Sequence, residues 1–114
     1  MREDPQYAQK RRASNRAAAK RRRERIKAMF AAAKSCPCAD CHRRFPPEIM
    51  EFDHVRGVKK VNLAKVKGTT YTSYKTIEEE IAKCEVRCPT CHRLRHYLTD
   101  DKFTSLREAR SASD

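Results

Sequence analysis

Cys88-Pro89-Thr90-Cys91-His92-Arg93-Leu94-Arg95-His96 places two thiols and two imidazoles within little more than two helical turns. Proline suits the first position of a helix, where its missing N–H has no intrahelical partner to lose. A helix opening at Pro89 puts His92 and His96 one turn apart on one face. Cys88 and Cys91 then stand at the N-terminus, where the positive dipole end favours thiolates. One short helix can thus serve two metals, a structural zinc through its cysteines and a second ion through its histidines.

The partner for the two thiols is Cys38-Ala39-Asp40-Cys41. Two CxxC pairs form the set that a tetrahedral zinc takes from two knuckles. Residues 42–87 between them are longer than the loop of a simple zinc ribbon, so further structure is built there. Cys36 is an alternative to Cys38, at a CxxxxC spacing less suited to a knuckle, and His42 is a further alternative ligand. Cys84 shares a strand face with Val86 and Cys88 and is expected to be a small buried side chain. Two redox-active thiol pairs are the competing reading, but the chain lacks the thioredoxin-like βαβ pattern that goes with them.

A chain of 114 residues has room for one domain and an arm. Hydrophobic residues make up 39%, yet many are alanines of the first third, so the core is small and a metal staple is expected. Against 15 acidic residues stand 27 Lys and Arg, a formal net charge of +12. That balance calls for a polyanionic partner, with nucleic acid ahead of an anionic membrane surface. No segment approaches the roughly 18 apolar residues of a membrane span, and the N-terminal residues lack the apolar run of a secretory signal. The expected location is the cytoplasm, where thiols stay reduced and bind metal rather than pair; neither a membrane nor a small-molecule substrate is expected.

Residues 1–34 read as a basic helical arm. Asp4-Pro5 is an N-cap followed by proline at the first helical position, and no further proline or glycine interrupts the run to Lys34. Its length is roughly 40 Å. Arg11, Arg12, Arg16, Lys20, Arg21, Arg22, Arg23 and Lys27 are the expected nucleic-acid contacts. Ile26, Met29, Phe30 and Ala33 form an apolar stripe only at the C-terminal end, which should dock on the domain. A merely solvated charged helix is the plainer alternative, but so lopsided a run favours contact with phosphates.

Residues 35–99 read as the metal-bound domain. A strand is expected over 49–54, a turn at Val55-Arg56-Gly57, and a capping box at Thr76-Ile77-Glu78-Glu79 that opens a helix burying Ile77 and Ile81. Residues 58–72 carry Val61, Leu63 and Val66 without a clear period. A short strand over 85–87 leads into the helix at Pro89. Residues 100–114 should hold a short helix over 103–110 and a disordered end over 111–114.

Between the knuckles lies Glu51-Phe52-Asp53-His54-Val55. Neighbouring strand residues face opposite ways, so Asp53 and His54 share one site only if the strand ends there, and the turn at Gly57 supplies that end. Asp53, His92 and His96 would make three ligands for a divalent ion. His54 is left as a general base, since an imidazole with its ordinary pKa of about 6.5 can activate water near neutral pH. The ion would polarise a phosphate, and Arg95 or Arg93 could clamp it from the same helix.

Cys38-x-x-Cys41, Glu51-Phe52-Asp53-His54 and Cys88-x-x-Cys91-His92-x-x-x-His96 resemble the HNH endonuclease family in its zinc-bound, phage-type form. The resemblance implies an α+β fold: a small zinc-stapled ββα-metal (His-Me finger) domain behind a long basic helix. It implies Asp53 and His92 as metal ligands, His96 as a further one by its likeness to nuclease colicins, and His54 as the base. It further implies DNA as substrate, cleavage to 3′-hydroxyl and 5′-phosphate ends, phage packaging proteins as partners, and a phage-infected or bacterial cell as the setting. The catalytic ion would be Mg²⁺, Mn²⁺, Ni²⁺ or Zn²⁺. Two positions depart from the family: Lys83 stands near the place of the middle Asn, with Asn62 as its candidate substitute, and Thr90 stands where many relatives carry Asn. The alternative is a non-catalytic zinc protein that binds nucleic acid.

Overall fold

The computed structural model describes residues 4–69 and 71–113. Helix α1 runs from Pro5 to Lys34, and the Asp4 carboxylate caps it by accepting the Gln6 N–H. At about 1.5 Å per residue its 30 residues span about 45 Å, in a molecule measuring 74 × 30 × 23 Å. Its first half is largely exposed, while Ile26 and Phe30 are buried.

The main core joins Ile26 and Phe30 to Leu63, Val66 and Ile77, with Phe52, Val61, Tyr74 and Ile81 packed around them. The stretch 58–72, which has no readable period, is therefore the plug that seats α1. Its described residues have no helix or strand beyond a 3₁₀ turn at Val66–Gly68, so neither a 3.6 nor a 2 repeat could reveal it. Arg22 strengthens the seat, donating from Nε to the Thr69 carbonyl (2.7 Å) and from Nη2 to that of Thr72 (2.6 Å). Arg22 and Arg25 also stack on the Tyr74 ring at 5.3 and 3.8 Å. Arg22, one of the expected nucleic-acid contacts, is thus half-buried and clamps α1 to the domain.

Strand β1 (Glu51–His54) pairs antiparallel with β2 (Cys84–Arg87), setting Glu51 opposite Arg87, Asp53 opposite Glu85 and His54 opposite Cys84. The expected strand over 49–54 starts later, because Pro47–Ile49 forms a 3₁₀ turn. A two-stranded ribbon is marginal by itself. Here Phe52 and Cys84 pack on the main core, and Val86 packs, with Phe45, on a second cluster of Cys38, Met50 and Cys88. Cys84 is half-buried, and burial beside Glu80 and Asp53 pushes its thiol up to about 11.

Helix α2 (Tyr74–Ala82) starts earlier than the expected box at Thr76, because Ser73 is itself a good cap and accepts the Thr76 N–H at 3.1 Å. The earlier start places Tyr74 beneath the two arginines of α1. Helix α3 (Pro89–Thr99) opens at Cys88, whose Sγ occupies the cap position and accepts the Cys91 N–H at 3.4 Å. Helix α4 (Thr104–Ser113) follows a 3₁₀ turn at Asp101–Phe103. The disorder expected over 111–114 is corrected: residues 111–113 are helical, no proline or glycine stopping the run, and Asp114 lies outside the described residues.

Candidate metal centres

The two knuckles meet. One sulfur each from Cys38, Cys41, Cys88 and Cys91 lies within 4.8 Å of every other. Thiolates about 2.3 Å from a tetrahedral ion stand about 3.8 Å apart, so the set can hold a structural metal such as zinc. Local backbone builds it. The Ala39 N–H donates to the Val86 carbonyl (2.9 Å), pinning the first knuckle on β2, and the Cys88 N–H points at Cys38 Sγ (3.4 Å). His42 closes the knuckle turn at φ 61°, a left-handed position, and is no part of the sulfur cluster; nor is Cys36, whose thiol faces the Ala33 carbonyl. Burial opposes ionisation of Cys38, yet backbone N–H groups of Cys41, Cys88 and Asp40 outweigh it and lower its thiol to about 6. The hydrogen bond with Cys88, then burial, pushes Cys91 up to about 12. A soft divalent ion would displace the remaining protons.

The second cluster is Asp53, His92 and His96, whose donor atoms also lie within 4.8 Å of one another. The two Nε2 atoms are 3.1 Å apart, and Asp53 Oδ1 lies 3.6 Å from His92 Nε2 and 3.7 Å from His96 Nε2. Ligands about 2.1 Å from one ion stand about 3.0–3.4 Å apart at octahedral or tetrahedral angles, so this donor set fits a divalent cation with positions to spare. Carboxylate and guanidinium neighbours aim the ligands. His92 Nδ1 is 2.9 Å from Glu51 Oε1, which turns Nε2 inward in the manner of a carboxylate–histidine–metal arrangement. Asp53, only 6% exposed, takes a 2.6 Å hydrogen bond at Oδ2 from Arg87 Nη1, leaving Oδ1 to the cluster.

Arg87 is 2% exposed and also reaches Asp40 (2.9 Å) and Glu85 (2.8 Å). It therefore ties the loop of the first knuckle to a ligand of the second cluster. Burial works against its charge, but the Asp40 hydrogen bond and the surrounding carboxylates raise its pKa.

His54 is the last residue of β1 and, with Asp53, Val55, Arg95, His96 and Thr99, lines a groove of about 260 Å³. Its Nε2 lies 3.0 Å from Oε2 of Glu80. Arg95 keeps its Nε 3.7 Å from Asp53 Oδ2 while remaining half-exposed along the same groove. Arg93 lies on the other side of α3, in a wider recess with Glu51, His92 and Tyr97.

Asn62 does not brace the turn after β1; its Oδ1 accepts the Ala64 N–H and caps its own local turn. Lys83 does the bracing. Its carbonyl accepts the Val55 and Arg56 N–H groups (3.0 and 3.2 Å), and its Nζ donates to the Val58 carbonyl (2.7 Å). The roles of Glu51, Glu80, Lys83 and Arg87 all escaped sequence reasoning. Only Glu80 had a signal: it falls at the i+3 position from Ile77, a carboxylate on the buried face of an amphipathic helix.

On α1, the side chains of Arg11, Arg12, Arg16, Lys20, Arg21, Arg23 and Lys27 are exposed, and Lys20 approaches Glu24 at 3.9 Å in a surface pair. No described helix is long and apolar enough to cross a membrane. The chain matches no protein-family model, no curated protein and no solved structure.

Proposed function

We propose that this protein is a metal-dependent DNA endonuclease of the ββα-metal, HNH type, with zinc in the four-cysteine cluster and a catalytic divalent cation held by Asp53, His92 and His96. The observation that carries the reading is the convergence of one carboxylate and two imidazoles beside an open groove that also holds His54 and Arg95. A bound divalent cation supplies charge neutralisation at the scissile phosphate and the departing oxygen.

The chain's own groups do the rest. His54 takes a proton from a water in the groove; the hydroxide attacks phosphorus, the bond to the 3′-oxygen breaks, and solvent protonates that oxygen, leaving 3′-hydroxyl and 5′-phosphate ends. Arg95 holds a non-bridging phosphate oxygen by charge-assisted hydrogen bonds. The exposed arginines and lysines of α1 add phosphate contacts that raise affinity without reading sequence. A phage-infected or bacterial cytoplasm suits the reading, with packaging proteins as further partners.

The test is nicking of supercoiled plasmid by protein that keeps its structural zinc but is dialysed free of weakly held ions, after add-back of Mg²⁺, Mn²⁺, Ni²⁺ or Zn²⁺. Cleavage should return with at least one ion, and His54→Ala should lower it about 100-fold or more while DNA affinity stays within about twofold. No cleavage with any ion leaves a zinc-stapled nucleic-acid binder instead.

A further inference from the structure

Glu80 is the least expected side chain in the molecule. It is 1% exposed, on the core face of α2 between Ile77 and Ile81, where a carboxylate is costly unless every oxygen is satisfied. Here they are. Oε1 accepts from Lys83 Nζ (2.6 Å) and the Lys60 N–H (3.2 Å), and Oε2 faces His54 Nε2 (3.0 Å). Burial alone would raise its pKa, but the hydrogen bonds from Lys83, His54 and Lys60 overcome this and lower it to about 2. An ionised carboxylate only accepts hydrogen bonds, so His54 must be the donor at Nε2. In the neutral ring the lone pair then resides on Nδ1, for which the described residues provide no partner.

We infer that Glu80 is the positioning residue of the nuclease site: it holds the His54 ring in one orientation and one tautomer, so that Nδ1 is the nitrogen that accepts the proton from water. The inference rests on the nuclease reading above. Lys83 completes the arrangement, since a single side chain neutralises Glu80 and, through Val58, tethers the turn that follows His54. The carboxylate also stabilises the imidazolium formed as water gives up its proton, in the way an acidic partner supports a histidine base in a triad.

Glu80→Gln separates this role from packing. The amide has nearly the shape of the carboxylate but only one acceptor oxygen, and Lys83 claims it, turning the amide N–H toward His54 Nε2 and forcing the proton onto Nδ1. With Mn²⁺-loaded full-length protein and plasmid substrate, kcat should fall about 100-fold or more, with KM and Mn²⁺ affinity within about twofold. In the unsubstituted protein, ¹⁵N spectra should show a protonated Nε2 and a bare Nδ1 at His54. This measurement decides the matter if the variant does not fold. Cleavage unchanged in Glu80→Gln, or a proton on Nδ1 in the natural chain, overturns the role of Glu80 while leaving the nuclease reading intact. Absence of cleavage by the unsubstituted protein overturns both.

Discussion

Helix α3 feeds two clusters, and their surroundings differ in kind. At its N-terminus the cysteines are arranged by backbone: a knuckle turn, a helix cap and N–H groups directed at sulfur. One turn later the histidines depend on side chains from other elements, Glu51 on β1 and Asp53 anchored by Arg87 of β2. A site made of local backbone is robust to what surrounds it. A site made of long-range side-chain contacts is only as good as each partner's placement. The first arrangement suits a metal that holds the fold, and the second suits one that must keep open positions and a tuned neighbour.

The hardest break is at the sulfur end. Cys88→Ser removes a ligand and, with it, folding free energy of the kind that reaches about 10–16 kcal/mol in zinc-finger peptides. Since the second small core is largely these cysteines and Met50, the domain should lose its cooperative thermal transition. A melting curve like that of the unsubstituted chain would show that the cluster holds no structural metal.

A smaller break falls on the link between the two clusters. Arg87→Met keeps the bulk but strands Asp53 and Asp40 without their shared cation. Loss of one partner from a buried ion pair costs about 3–5 kcal/mol, and urea unfolding should read a loss of that order. Zinc content by mass spectrometry should stay at one ion while Mn²⁺ affinity at the histidine cluster falls about tenfold. A loss under about 1 kcal/mol, against that ion-pair scale, would mean the two clusters stand independently.

The smallest effect on the fold comes from the far end of α1. Because Arg22 and Arg25 are part of the seat, the informative truncation removes residues 1–18 only. Stability should change little, while DNA affinity weakens and its dependence on salt flattens by about one unit of slope for each phosphate that is no longer neutralised. An unaltered slope would assign those arginines and lysines to solvation alone.

The chain order of its cysteines, the Asp4-Pro5 and Cys88-Pro89 helix starts, and the stripe at Ile26, Met29 and Phe30 were all legible, because each depends on residues within a turn or two of each other or on a metal spacing that tolerates any loop between. The partners of the side chains in the Asp53–His92–His96 cluster and at His54 were not. Glu51, Glu80, Lys83 and Arg87 act across 3 to 47 residues of chain, and a charged residue looks the same in sequence whether it faces water or a histidine. Likewise the plug formed by Val61, Leu63 and Val66 has no repeat to betray it, and only folding against α1 gives it a place in the core. Local geometry and ligand chemistry are written along the chain. Which buried charge meets which imidazole is decided only when the strands and helices come together.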